Sequence, residues 1–435
     1  MIVHYRAGVV LLAGLALVGA GGADNDPKLY PKSLGEIKAM TQVLAAKKGS
    51  GSTVANEFMS RLRQYRYLCG VPFETLSWDA RCVDLAEHGA LVCARLNKMT
   101  HTPEKPAGMS DAEYELCKTG AGQSNLFTGL TQAGPCVDGW MDDSDDKNID
   151  RVGHRRWCIN PTMGKTGFGA NGNYAAMYSW DSSNKEIPDW DYVSYPARGY
   201  MPLSHFGAKY AWSVSPNMAK YQAPVEAQIK VTIQPADAKL APAGPALKLD
   251  YFHVDSGNFG SGPAIIFRPA AFSMAEGAFL VDITGLKPKS AEAPPLHYVV
   301  HFVNLQRVAD GPESAAIYSK YLQQRFASIQ SLPEKLDQIE QLAELLESEF
   351  LRDPALRSSI QKSLAELLKD PALKREHDAS LRYKAIAAAE QKAGKSKNQL
   401  AQVALSYREL AVAFKETRAG VKAGQDFERL KTQVQ

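Results

Sequence analysis

The chain has 435 residues, a net charge of +3 at pH 7 and 22% charged residues. This length is enough for two or three domains. The balanced charge, without a basic stripe interleaved with aromatic residues, argues against nucleic acid as a partner.

The first predicted element is an export signal. A short basic beginning leads into an apolar run over residues 9–18, and small residues follow that run. The run is too short to span a bilayer, so we expect no transmembrane segment and cleavage after Ala20 or Ala23. The expected product is secreted or periplasmic and lacks residues 1–23.

Two helices are predicted after a polar linker at residues 24–52. Apolar residues at steps of three and four indicate a helix that contains Phe58 and Leu62 and ends at Gly70, and a second helix that ends near Leu96. Two motifs with one histidine each follow, MTHTPEKP and RVGHRRWCINP. Their histidines, at 101 and 154, raise the question of a shared site.

All six cysteines lie in this same part of the chain. An even number of cysteines in an exported protein predicts disulfides, and no spacing is C-x-x-C, which argues against a zinc knuckle. The sequence leaves all pairings open. The disulfide candidates are Cys69, Cys82, Cys93, Cys117, Cys136 and Cys158.

Two further motifs have a functional and a structural interpretation. GFGANG at 167–172 fits a dinucleotide-binding pattern, but a strand-like segment follows it where that fold needs a helix, so we expect a hairpin with its turn at Asn171 and Gly172. The acidic run at 142–146 lacks the glycine and terminal glutamate of an EF-hand, so we expect a solvated loop.

The rest of the chain predicts two more domains. Five strand-like runs separated by Pro, Gly and Ser indicate an antiparallel β-sandwich at 214–308. Residues 312–435 are rich in Ala, Leu, Gln, Glu and Lys and predict an all-α helical module. The tetrapeptide DPAL, at 353 and 370, is expected to start new helices, because Asp caps a helix and Pro fits its first turn.

The order of motifs between 53 and 213 resembles the CAP superfamily, also called SCP or PR-1-like, in its bacterial form. The motifs are LRQYRYLCGVPFETLSWD, THTP, QSNLF, GHRRWCINP, GKTGFG and YAAMYSW. The resemblance implies an α-β-α sandwich with an open cleft, which two histidines and two acidic residues often face. The expected fold class is therefore α+β, with a CAP domain at 53–213.

The resemblance also implies which residues face the cleft. THTP supplies His101 and GHR supplies His154. Ser124 and Asn125 fall on the family's Gly-Glu-Asn motif, which leaves a serine where a glutamate is usual. Asp143 takes the other acidic position, and an inserted segment separates it from GHR.

Two neutral imidazoles in one cleft suit Zn²⁺ or a similar cation, with water completing the coordination. Ser124 would leave less negative charge around such an ion. The structural alternative is that His101 caps a turn and His154 satisfies buried backbone groups. His205 lies near the end of the domain, where a structural role is the better expectation, and His297 and His301 share one face of a strand where ordinary sheet packing is favoured.

The sequence thus predicts a protein that acts mainly by binding. The expected ligand is a small apolar molecule, a cell-envelope component or a protein. The rival is a secreted hydrolase, a peptidase or esterase that uses a cleft histidine as general base, although no G-x-S-x-G or H-E-x-x-H motif occurs. A third possibility gives the biological role to the C-terminal helices and makes the CAP unit a scaffold.

Overall fold

The structure is a computed structural model that describes residues 26–45, 53–185, 187–290, 293–309, 313–348, 350–393 and 396–434. The predicted signal segment 1–23 lies outside these residues. The described chain has the predicted α+β organisation, with a helix-rich N-terminal part, two sheets facing each other and a helical C-terminal part.

The N-terminal part is the predicted α-β-α sandwich. Its central sheet has the order β1-β3-β4-β2, in which β1 runs parallel to β3 and the other pairs are antiparallel. Its strands are β1 (Ser77–Trp78), β2 (Ser124–Thr128), β3 (Lys165–Asn171) and β4 (Tyr174–Tyr178). Its helices are α2 (Thr53–Leu68), α3 (Ala80–Leu96), α4 (Asp111–Gly122), α5 (Ala133–Asp142) and α6 (Gly153–Cys158).

Alternating side chains of the sheet bury two different faces. Tyr174 and Ala176 pack in one apolar cluster with α3 and α4, whereas Ala175 and Met177 pack in another with α2 and α5. All four residues belong to β4. Adjacent residues of a strand point to opposite faces, so β4 needs apolar residues at every position. The short apolar run therefore marks a strand covered on both sides.

The GFGANG segment forms the predicted hairpin. Asn171 pairs with Tyr174, so the turn residues are Gly172 and Asn173, one position later than predicted. A Cβ on Gly169 would lie 2.3 Å from the backbone nitrogen of Glu87 in α3. The glycines of β3 thus let a helix backbone approach the sheet, and no helix follows them to bind a pyrophosphate.

The second part contains two four-stranded sheets that enclose an aromatic core. The five predicted strands are confirmed as β8 (Lys230–Ala236), β9 (Leu249–Asp255), β10 (Ala264–Pro269), β11 (Gly277–Thr284) and β12 (Leu296–Val303). Trp212, Phe272, Phe279 and Phe302 make edge contacts between the sheets. The pairs are antiparallel, except that β12 runs parallel to the strand at Gly199–Pro202.

Two strands before the predicted boundary at 213/214, and a third that spans it, belong to these sheets. They are β5 (Tyr192–Tyr195), β6 (Gly199–Pro202) and β7 (Trp212–Pro216). The sheet orders are β5-β7-β10-β9 and β6-β12-β11-β8. All three strands join these sheets by pairing with other strands. The order of motifs along the chain carries no information about that pairing.

The predicted linker at 24–52 is partly helical. It contains α1 (Leu34–Ala45), whose Ile37, Met40 and Leu44 are buried. Their spacing of three and four residues was the signal for a helix. Helix α1 packs against both α2 and the first C-terminal helix, so this segment connects two parts of the protein.

The C-terminal part consists of six helices within the described residues. They are α7 (Glu313–Gln330), α8 (Lys335–Leu346), α9 (Pro354–Leu367), α10 (Pro371–Ala393), α11 (Lys397–Ala413) and α12 (Arg418–Val434). Asp353 and Asp370 cap α9 and α10 through their Oδ1 atoms, as the DPAL repeat predicted. Among the described helices, none is long and apolar enough to cross a membrane.

The predicted disulfides do not occur in the structure, where all six cysteines are free thiols. Five of the six are buried and act as small apolar side chains, two of them on α3 and one each on α4, α5 and α6. Burial raises the pKa of Cys69 and of Cys136 to about 12. At neutral pH these thiols are therefore protonated and poor nucleophiles.

A thiol titration tests this correction. Because burial shields the sulfur atoms and raises their pKa values, Ellman's reagent is expected to react slowly with the native protein at pH 8 and to titrate six thiols in denaturant without reductant. If two, four or six cysteines fail to react in denaturant, one, two or three disulfide bonds exist.

Candidate functional site

His154 lies near the start of α6 and is held by Asp143. One carboxylate oxygen of Asp143 accepts hydrogen bonds from the backbone N–H groups of His154, at 2.8 Å, and of Arg155. The other oxygen lies 2.7 Å from Nδ1 of His154. Asp143 follows α5 in a left-handed conformation, with φ of 45°, and is 3% exposed. This carboxylate therefore caps the helix and orients the ring.

His101 lies on the connection between α3 and α4. Asn97 ends α3 in a left-handed conformation, and the chain then turns back toward the end of α4. There Nδ1 of His101 donates to the carbonyl oxygen of Ala121, at 2.9 Å. Because a carbonyl only accepts, the proton of a neutral His101 ring is on Nδ1.

The structure brings the two rings together. Their centroids are 6.4 Å apart and their planes are inclined by 31°. His101 is exposed, and the His154 side chain is 18% exposed. Both Nδ1 atoms bond to oxygen atoms of the protein, and neither Nε2 has a protein partner among the described residues. Two Nε2 atoms without a protein partner in the described part of the chain therefore belong to one site.

The two rings differ in proton affinity. Partial desolvation of the ring by its neighbours lowers the pKa of His101, and the nearby His154 ring adds to this effect. Burial by itself also lowers the pKa of His154, but the charge and hydrogen bond of Asp143 outweigh it, so the pKa is raised. The pair can therefore hold one neutral and one protonated imidazole, which is the asymmetry that acid and base partners need.

The two arginines after His154 fix α6 from both sides. Arg155 is fully buried and donates to the carbonyl oxygens of Met141 and Ala211. Arg156 pairs with Asp255 at the end of β9. The sequence motif GHRRWC did not indicate this role, because the partners come from the second part of the chain.

The glycine of GHR has a packing role as well. A Cβ on Gly153 would lie 3.1 Å from the ring of Phe259, in the loop after β9. The same ring lies beside the Arg156 guanidinium, at 4.8 Å. The β-sandwich thus supports the helix that carries His154.

Asn125 and Ser124 face different sides of the sheet. Asn125 Nδ2 donates to the carbonyl oxygen of His154, at 2.9 Å, and so ties β2 to α6. Ser124 precedes it in the strand and therefore points to the opposite face. Its Oγ is buried without a hydrogen-bond partner among the described residues. Asn125 thus supports the site, whereas Ser124 bonds to neither imidazole.

The donor set fits a weakly held cation. Two imidazoles that share one tetrahedral Zn²⁺, each with a Zn–N bond of about 2.0–2.1 Å, have ring centroids about 5 Å apart. The observed distance of 6.4 Å is longer, so the two rings would have to move closer together to share the ion. An Nδ1–H that bonds to carboxylate or carbonyl oxygen is the usual arrangement of a metal-ligating histidine. No group of three or more His, Cys, Asp or Glu suited to a metal occurs in the described residues, so water or a ligand would complete the coordination.

A tryptophan pair beside the histidines was missed in the sequence. Trp157 lies three residues after His154, on the same face of α6, and stacks on Trp180 with ring centroids 6.0 Å apart. Trp180 is 56% exposed. The i, i+3 spacing of His154 and Trp157 was a readable signal, but Trp180 follows β4, and only the fold brings it to α6.

The remaining histidines lie elsewhere. His205 is 4% exposed and contacts Arg61 and Gln64 of α2, in keeping with the expected structural role. His297 pairs with Asp282 across two strands, and His301 lies beside Tyr30. His205 and His301 are thus part of the packing around the sheets, whereas His297 is exposed.

Comparison with known proteins agrees with this architecture. The model of the CAP family, the cysteine-rich secretory protein family, matches residues 60–184. No curated protein and no solved structure matches the chain. The matched range contains both imidazoles, Asp143, Asn125 and the central sheet. This chain therefore carries a CAP domain, of the cysteine-rich secretory protein family, at residues 60–184.

Proposed function

We propose that this protein acts by binding through the cleft around His101 and His154, with Zn²⁺ or a similar divalent cation between the two rings. The observation that carries the proposal is the pair of Nε2 atoms without a protein partner among the described residues, each on a ring whose Nδ1 is held by an oxygen atom. Such a cation would act as a Lewis acid toward an oxygen or nitrogen atom of the ligand.

The ligand we propose is a small apolar molecule, a component of the cell envelope or a protein surface. The exposed Trp180 ring, stacked on Trp157, supplies apolar area next to the polar anchors. A ligand site typically combines such a surface with a few polar groups that fix orientation. We also propose an exported location, which rests on the apolar run at 9–18.

Calorimetric titration of the full chain with Zn²⁺ tests the cleft. The wild-type protein is expected to bind one equivalent, and His101→Ala and His154→Ala are each expected to lower the affinity at least tenfold, because each removes one of two protein ligands. His297→Ala is the matched control, since His297 is exposed, pairs with Asp282 and lies far along the chain from His101 and His154. Equal affinity in all four proteins would contradict the proposal.

The rival function is hydrolysis with a cleft histidine as general base. The opposite pKa shifts of the two rings favour it, whereas Ser124 lacks the hydrogen bond to a base that a serine nucleophile requires. Peptide and ester substrates decide between the two functions. If the wild-type protein hydrolyses such a substrate and His154→Ala lowers the turnover by orders of magnitude, the protein is a hydrolase and the binding proposal is replaced.

A further inference from the structure

The junction between the CAP domain and the C-terminal helices contains a second candidate site. A cavity of about 120 Å³ lies between α1 and α2 on one side and α7 and α8 on the other. A single water needs only about 10–15 Å³ of such space, so this cavity has room for a larger solute. The polar residues around it include Arg63, Arg325, Gln341 and Glu344.

Two guanidinium groups face this cavity from different parts of the chain. Arg63, on α2, donates through Nη2 to the carbonyl oxygen of Leu76, at 2.7 Å, while its Nε is buried without a partner. Arg325, on α7, donates to Gln341, at 2.7 Å. Within the described part of the chain, neither arginine has a carboxylate oxygen within 4.0 Å.

The charged groups around the cavity are two arginines and two glutamates. Burial lowers the pKa of Arg63, and the positive charge of Arg325 lowers it further. Glu344 is the single carboxylate among the lining residues, and burial raises its pKa. Glu74 lies nearby but is exposed and does not line the cavity. Both carboxylates interact with the two guanidiniums, but neither forms an ion pair with an arginine among the described residues. The buried Nε of Arg63 therefore remains a hydrogen-bond donor available to an anion.

We propose that this cavity binds a small oxyanion, a phosphate or a carboxylate group, between Arg63 and Arg325. A planar guanidinium presents paired N–H donors that match the oxygen atoms of either group. Arg63 belongs to the CAP domain and Arg325 to the helical module, so the bound anion connects the two. This site is separate from the histidine cleft and does not depend on its function.

Titration of the full chain with inorganic phosphate and with succinate, at constant ionic strength set with chloride, tests the proposal. The wild-type protein is expected to bind one of these anions with a Kd on the order of 1 mM or lower, and to unfold at a higher temperature when it is bound. Binding of phosphate alone identifies a phosphoryl group, and binding of succinate alone identifies a carboxylate.

The decisive variant is Arg325→Gln, which removes a charge from α7 while keeping a hydrogen-bonding side chain. It is expected to weaken anion binding at least tenfold. Arg307→Gln is the control. It removes an arginine whose side chain is 74% exposed, and it is expected to leave anion binding unchanged. No binding of either anion to the wild-type protein, or equal binding by Arg325→Gln, overturns the proposal.

Discussion

Gly120→Ala is expected to destabilise the protein by about 3 kcal/mol, at the upper end of overpacking effects. Helices α3 and α4 cross at Gly120 and Gly89, and a Cβ on Gly120 would lie 2.0 Å from the carbonyl oxygen of Leu85. That oxygen belongs to a helix backbone and cannot move aside alone. The helices must separate, and urea unfolding measures the loss.

Gly277→Ala is the matched control for this change. No atom lies within 4 Å of a Cβ at Gly277, at the start of β11, so its effect is expected to stay within about 0.5 kcal/mol. Similar losses in the two variants would show that α3 and α4 do not cross as described. Because Ala121 follows Gly120 and holds His101, the separation of the helices should also weaken Zn²⁺ binding.

The second large effect is expected from Asp143→Ala, which should cost about 3 kcal/mol at pH 6. The side chain of Asp143 is 2% exposed and bonds to the ring of His154 and to two backbone N–H groups. Its removal leaves these donors without a partner. Asp84→Ala is the control, because Asp84 also pairs with a histidine, His88, but its side chain is 40% exposed, so about 1 kcal/mol or less is expected.

The pH dependence gives this prediction a sign. Asp143 raises the pKa of His154 in the folded protein. The stability from this ion pair is therefore fully present below the unfolded-state pKa of about 6.5 and is lost as the pH rises through the raised folded-state pKa. Asp143→Asn, which keeps an acceptor but removes the charge, should thus destabilise the protein more at pH 5.5 than at pH 9.

Unfolding measured at both pH values, with NMR titration of the His154 ring, checks this result. The variant ring should titrate at a lower pH than the wild-type ring. A loss of stability that is equal at the two pH values would mean that the carboxylate acts as a helix cap without interacting with a charged imidazole.

Local sequence was a good guide to elements and a poor guide to boundaries. The DPAL repeat predicted two helix starts because an aspartate cap and a proline act within one turn. The predicted boundary at 213/214 falls within β7, because β6 and β7 pair with strands more than fifty residues later and β5 pairs with β7. Helix α1 was missed although its apolar spacing was visible.

Some residues of the candidate site could likewise be predicted from the sequence, and one could not. The histidines were found because THTP and GHR resemble a family whose cleft they line, and the carry-over to Asp143 placed the carboxylate that holds His154. Ser124 was assigned to the cleft by alignment alone. The pleat of β2 turns its side chain to the opposite face from Asn125, a detail that depends on strand register.

By itself, the sequence determined the α+β class, the helical C-terminal module and the two imidazoles, because these follow from spacing and motif order over short distances. Only the tertiary structure decided that Arg156 is anchored by the β-sandwich, that Trp180 meets Trp157, and that Arg63 and Arg325 face one cavity. The reason is physical. These contacts join residues far apart in the chain, and their geometry is set by the packing of whole helices and sheets.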